Sequence, residues 1–187
     1  MSKQLKHVFV ALGDSLTEGY DEHTQQLVRT PWPKVIDQTA IILAKCGKRT
    51  DQLYCEQFTQ AKHLNPTQVS IMIGANDILQ NKFSAKHYED MMREMIEYFQ
   101  QQGAQVLTAS IPPLTSQTPF AFGKGQNIEA DLNVANAILS KLATHYQTCH
   151  FEDWSDLNNQ SRYFDEGAIH PNQSGYMTVA KHYQAML

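Results

Sequence analysis

The chain has 187 residues, of which 42% are hydrophobic and 18% are charged, as in a globular protein with a sizeable core. Its net charge of −4 comes without a basic stripe, so the sequence gives no support to nucleic-acid binding. No apolar run approaches the length of a membrane span, and no signal peptide is visible before the first apolar run.

The three cysteines Cys46, Cys55 and Cys149 are odd in number, and their spacing matches no zinc-binding pattern. The simplest interpretation is a reduced protein located in the cytoplasm. Cys46 is expected to be a small buried residue rather than a nucleophile.

Apolar runs and helical periodicity alternate along the chain. Short apolar runs bounded by turn residues predict five strands, at 7–12, 39–44, 69–73, 105–110 and 149–152. Apolar residues recurring every three or four positions predict helices at 50–64, 85–102, 127–146 and 173–186. Pro31-Trp32-Pro33 opens a short helix at best, and the run at 39–44 could instead continue that helix. The alternation predicts a parallel sheet with helices on both faces, a three-layer α/β/α sandwich in one domain spanning 1–187.

Ser15 follows the first predicted strand directly after Gly13 and Asp14. In a parallel α/β sheet the carboxyl ends of the strands form the edge where ligands bind. A serine lifted clear of that edge by a turn is well placed to be a nucleophile. The same position also suits a helix N-cap, whose side-chain oxygen accepts a backbone N–H.

Two further residues belong to the same edge of the predicted sheet. Asn76 leaves the third strand in the turn Gly74-Ala75-Asn76-Asp77, and His170 precedes the last helix. Histidine is the usual base for a serine hydroxyl, and a side-chain amide can donate to an oxyanion. Taken singly, Asn76 suits a plain turn residue and His170 suits a surface histidine. Their occurrence together with Ser15 favours acyl-transfer chemistry.

These residues resemble conserved blocks of the SGNH, or GDSL-type, ester hydrolases. Gly13-Asp14-Ser15-Leu16 is similar to the first block of that family, 74–77 to its Gly-x-Asn-Asp block, and His170-Pro171-Asn172 with Gly175-Tyr176 to its last block. The blocks occur in the family order and span nearly the whole chain. The resemblance implies a flavodoxin-like SGNH hydrolase fold, and a serine esterase that needs no metal or cofactor and acts on a small-molecule ester.

The resemblance also implies a role for each residue. Ser15 would attack the ester and His170 would act as its base, while the Ser15 and Gly47 N–H groups and the Asn76 side chain would hold the oxyanion. Gly47 follows the second strand at a position similar to that of the family's oxyanion glycine. Its neighbours Lys45-Cys46 and Lys48-Arg49 differ from the usual family sequence.

One position departs from the family pattern. The family has its acid three residues before the histidine, where this chain has Gly167. Asp165, the first choice because it matches the residue type, and Glu166, which has the longer reach, are the acids that could orient His170. A Ser-His dyad without an acid is the remaining possibility.

The segment 114–126 is longer than most connections in such folds, and we expect Phe120 and Phe122 to border the substrate site. The alternative is that both rings pack onto the core. Two other functions stay open. One is a flavodoxin-like module that binds an anion or nucleotide at the same strand ends, although no Gly-rich phosphate loop follows the first strand. The other is a catalytically inactive relative.

Overall fold

The computed structural model describes residues 7–21, 23–114, 127–152, 154, 163–164 and 169–187. A five-stranded sheet runs through this part of the chain in the order β2-β1-β3-β4-β5, with every neighbouring pair parallel. The strands are β1 (Phe9–Gly13), β2 (Ile41–Ile42), β3 (Gln68–Met72), β4 (Gln105–Ala109) and β5 (Cys149–Phe151). The predicted α/β fold with a parallel sheet is therefore confirmed.

The helices of the described residues alternate with these strands. They are α1 (Ser15–Glu18), α2 (Trp32–Ile36), α3 (Thr50–Leu53), α4 (Thr59–Lys62), α5 (Ala75–Leu79), α6 (Ala85–Gln101), α7 (Ile128–Tyr146) and α8 (Gln173–Met186), with a π-helical turn at Tyr54–Phe58 between α3 and α4. The three long helices α6, α7 and α8 begin and end within one residue of their predicted bounds. No helix in the described ranges is long and apolar enough to cross a membrane.

Two predicted elements differ in extent from the structure. The second strand contains only Ile41–Ile42, because the N–H groups of Leu43 and Ala44 both turn to the Ala11 carbonyl, at 2.9 and 3.2 Å. The predicted helix at 50–64 ends at Lys62 and contains the π-helical turn. Such turns add a residue to the helix and are frequent at functional sites.

The core lies on the two central strands. Every residue of β1 and β3 is buried, as expected for strands that are covered on both faces. Helix α2 packs against α8, and Trp32 of α2 stacks on Tyr183 of α8 with 4.8 Å between ring centroids. Helix α6 packs against α7 and buries Tyr88, Met92, Met95, Ile96 and Phe99. This packing fixes the carboxyl edge of the sheet, where the candidate site lies.

Candidate active site

Ser15 is the first residue of α1, immediately after β1 and the capping residue Asp14. The Asp14 carboxylate accepts the Leu16 N–H at 3.0 Å, and its backbone carbonyl accepts the N–H groups of Thr17 and Glu18. The N-cap of this helix is therefore Asp14 and not Ser15. The helix was not predicted, because four residues are too few to show a periodicity.

The Ser15 hydroxyl lies beside the imidazole of His170. Ser15 Oγ and His170 Nε2 are 2.6 Å apart, and the two residues are only 6% and 4% exposed. The ring of Tyr20 meets the imidazole edge-on, with 5.1 Å between centroids. His170 is thus a buried partner of Ser15, and its interpretation as a surface histidine is wrong.

Two side chains from distant parts of the chain hold the backbone around Ser15. The Gln57 amide, in the π-helical turn, accepts the Gly13 N–H and donates to the Gly13 carbonyl, both at 2.9 Å. The Tyr176 hydroxyl donates to the Ser15 carbonyl at 3.0 Å. A buried amide that satisfies both polar groups of one peptide residue fixes the end of β1 before the serine.

Asn76 lies inside the short helix α5 and not in a turn. Its Nδ2 donates to Asp14 Oδ2 at 3.2 Å and to the Lys48 carbonyl at 3.1 Å. Both hydrogens of the amide therefore have protein acceptors. Donation to a further acceptor in the cavity therefore requires that one N–H be shared between two acceptors.

Gly47 lies in a turn that α1 and α5 hold from two sides. Glu18 Oε2 accepts the Cys46 N–H at 2.6 Å, and Gln80 Nε2 donates to the Gly47 carbonyl at 3.0 Å. Gly47 has φ +76°, in the left-handed region that favours glycine, and a Cβ at this position would meet no atom within 4 Å. The Cys46 side chain is exposed, so its expected burial is wrong.

Two carboxylic acids are buried behind this turn. Asp14 is completely buried, and burial raises the pKa of its carboxyl to about 7 in spite of the Leu16 N–H bond. Asp77 accepts the N–H and hydroxyl of Thr50, and burial raises its pKa to about 6. Loss of water around a charged group makes its neutral form more favourable, which explains both directions.

A cavity of about 190 Å³ opens beside Ser15, and His170, Asn76 and Gly47 all line it. Its remaining wall is mostly apolar and includes Leu16, Tyr20, Ala75, Leu79, Pro112, Leu114 and Ile169. Phe120, Phe122, Asp165 and Glu166 lie outside the described residues. The cavity therefore unites four of the predicted site residues from four separate segments of the chain.

Gln57 is not identified by the sequence analysis as a residue that holds the end of β1, although its position in the sequence contains a signal. Gln57 occupies the inward face of its helix between Leu53 and Ala61, where it is a polar residue in an apolar stripe. The sequence identifies Tyr176 only as part of the last block that resembles the family. For Arg29, whose contacts are described below, the sequence offered no local signal.

Comparison with known proteins gives one family match. Residues 11–177 match the model of the GDSL-like Lipase/Acylhydrolase family. No curated protein sequence matches the chain.

Solved structures with the same fold cover nearly the whole chain. The lipase/acylhydrolase from Enterococcus faecalis shares 15% sequence identity at a TM-score of 0.76, over 96% of this chain and 95% of its own. The psychrotrophic esterase EstA from Pseudoalteromonas sp. shares 15% identity at a TM-score of 0.71, over 97% and 96%. An acetyl xylan esterase, AlAXEase, shares 18% identity at a TM-score of 0.74, over 96% and 99%. At these identities the likeness concerns the fold.

Proposed function

Since this chain belongs to the GDSL-like Lipase/Acylhydrolase family and is an ester-bond hydrolase, we propose that it is a serine esterase working through an acyl-enzyme on Ser15. The observation that carries the proposal is the distance of 2.6 Å between Ser15 Oγ and His170 Nε2 at the wall of the cavity. A serine hydroxyl is a weak nucleophile until a base within hydrogen-bond reach takes its proton.

In the proposed acylation step, Ser15 Oγ forms a bond to the ester carbonyl carbon while His170 Nε2 takes the hydroxyl proton. The resulting tetrahedral oxyanion collapses, the bond to the leaving oxygen breaks, and His170 gives its proton to the departing alkoxide. A water molecule then repeats the sequence on the acyl-enzyme, which releases the acid and restores the Ser15 hydroxyl.

The proposed oxyanion donors are the N–H groups of Ser15 and Gly47 and the side chain of Asn76. All three residues line the cavity beside the serine hydroxyl, and preorganised N–H donors are what an oxyanion of acyl transfer requires. Asp165 remains the first choice for the acid that orients His170, with Glu166 as the alternative.

The size of the cavity supports short or aromatic acyl groups. An engineered cavity of about 150 Å³ holds benzene, and the cavity beside Ser15 measures about 190 Å³ with a largely apolar wall. We therefore propose esters whose acyl part has about two to six carbons or a single aromatic ring. Phe120 and Phe122 stay predicted parts of that wall. The odd number of cysteines, three, supports the predicted reducing, cytoplasmic location.

The test is covalent labelling with a fluorophosphonate, followed by turnover of p-nitrophenyl esters of rising chain length. Ser15→Ala should abolish labelling and lower turnover by roughly a millionfold, the loss seen when a catalytic serine is removed. Ser110→Ala is the matched control, because Ser110 is also buried and its Oγ lies 3.3 Å from His150 Nε2. Labelling that persists in Ser15→Ala, or residual turnover above a tenth of wild type, would contradict the proposal, because the nucleophile would then be another residue. A wild-type protein that shows neither labelling nor turnover would favour a ligand-binding module.

A further inference from the structure

His170 lies on the chain just before α8, and the segment between α1 and α2 contacts this region. Residues 19–21 and 23–31 of that segment follow directly from the helix that begins at Ser15. They reach the residues on the carboxyl side of His170 through two separate sets of hydrogen bonds. The serine and the histidine are therefore connected through protein as well as through their own hydrogen bond.

The first set of bonds comes from Arg29, whose side chain is only 7% exposed. Its Nε and Nη2 both donate to Asp21 Oδ2, at 3.0 and 2.7 Å. Its Nη1 donates to the backbone carbonyl of Pro171, the residue after His170. One guanidinium thus joins a carboxylate in the α1–α2 segment to the peptide that follows the histidine.

Asp21 is itself held in place by its own turn. Its Oδ1 accepts the N–H groups of His23 and Thr24, both at 2.9 Å, and its N–H donates to the Gln26 carbonyl at 2.9 Å. The Thr24 N–H and the Arg29 guanidinium hold the pKa of Asp21 at about 2. The carboxylate stays ionised at any pH at which an esterase is assayed, so Arg29 keeps its anchor.

The second set of bonds joins the next residues of the same two segments. Gln173 Oε1 accepts the Thr30 N–H at 2.8 Å, and Gln173 Nε2 donates to the Thr30 carbonyl at 3.4 Å. Gln173 is the first residue of α8. The contact with the α1–α2 segment therefore extends from Pro171 to the start of the helix.

The arrangement requires an arginine. Burying a cation is costly unless its N–H groups find acceptors, and here two donate to one carboxylate oxygen and a third to a carbonyl. Lysine presents a single ammonium and cannot donate to both acceptors in this forked geometry.

We propose that Arg29, anchored by Asp21, is a positioning residue that holds His170 within hydrogen-bond distance of Ser15. This inference rests on the proposed role of His170 as the base.

The test compares Arg29→Ala and Arg29→Lys with wild type. A displacement of catalytic groups by about 1 Å costs on the order of a hundredfold in rate, so kcat should fall by that factor in Arg29→Ala while KM stays within about twofold. Arg29→Lys, which keeps the charge and the bulk, should also lose most of its kcat. Millimolar guanidinium, far below denaturing concentrations, should restore activity to Arg29→Ala and leave Arg29→Lys unchanged.

The control is Arg93→Ala, because Arg93 also forms ion pairs, with Glu89 and Asp90 on the surface of α6. The Arg93→Ala variant should have the kcat of wild type, and guanidinium should not change that kcat. Imidazole NMR provides a readout without turnover: the His170 ring signals should move in Arg29→Ala and Arg29→Lys and stay in place in Arg93→Ala. Unmoved His170 signals with unchanged kcat would overturn the inference. If the wild-type protein itself shows neither turnover nor labelling, the proposed function is overturned instead. The NMR comparison would then still show whether Arg29 positions His170.

Discussion

Replacing Asn76 by alanine tests the proposed oxyanion donor and a structural link at the same time. The side chain makes two hydrogen bonds, to Asp14 and to Lys48. Each such bond contributes about 1 kcal/mol, and the buried Asp14 oxygen loses a donor, so we expect a loss of about 2–3 kcal/mol in the free energy of unfolding. For a chain of this length that corresponds to a decrease in Tm of roughly 8 °C.

The expected loss of turnover follows from the same two bonds. Removing one oxyanion donor lowers kcat by about a hundred- to a thousandfold. Both hydrogens of the Asn76 amide already have acceptors, so the oxyanion receives a shared hydrogen, and the lower end of that range is expected. KM should change little, because the bond to the oxyanion forms only in the transition state.

The assay measures kcat with a p-nitrophenyl ester and stability by urea unfolding, both with Asn136→Ala as the matched control. Asn136 is half-buried like Asn76, and its amide also makes two hydrogen bonds, with the N–H and carbonyl of Ile111 at 2.7 and 3.0 Å. The control should lose similar stability with nearly wild-type kcat. If Asn76→Ala matches the control in both stability and turnover, Asn76 is a structural link and the oxyanion assignment fails.

Two further predictions concern the acids of the chain. Asp165→Ala should lower kcat by on the order of ten-thousandfold near neutral pH, and Glu166→Ala should change kcat little, because only one carboxylate can orient His170. Equal small losses of kcat in both variants, measured by steady-state kinetics, would instead indicate a Ser-His dyad. Burial raises the pKa of Asp77 from 3.8 to about 6. Between these pH values the folded protein binds more protons than the unfolded chain, so the Asp77 carboxyl lowers the free energy of unfolding as pH rises. The unfolding free energy of Asp77→Asn relative to wild type should therefore increase by about 2.4 kcal/mol from pH 4 to pH 7. A constant difference in urea unfolding would contradict the assigned burial effect.

The part of the site that could be predicted from sequence depends on local signals. The apolar run before Gly13 and the run before Gly74 identify two strand ends, and residues at the carboxyl ends of parallel strands must lie near one another. Ser15 and Asn76 were therefore predicted to share an edge, and the described structure places both at the cavity. Helices α1 and α5 were missed, because four and five residues cannot show a 3.6-residue period.

The displaced acid illustrates a different limit. Gly167 stands where the related enzymes have their acid, and the sequence leaves Asp165, Glu166 or neither as the partner of His170. The choice depends on the path of the chain just before the histidine, which lies outside the described residues. It stays a prediction that the two alanine variants can decide.

The sequence by itself determined the order of the strands and of the three long helices, the α/β class and the residues that occupy the strand ends, because hydrophobic periodicity and turn residues act over a few neighbouring positions. Only the tertiary structure decided that Asp14 caps α1, that both hydrogens of Asn76 are already bonded, and that burial raises the pKa of Asp14 to about 7. It alone joins Arg29 to Pro171, which are 142 positions apart in the chain. Such contacts depend on how the crossover connections bring distant segments to one edge of the sheet. A local pattern of residues does not predict which distant segments will meet there.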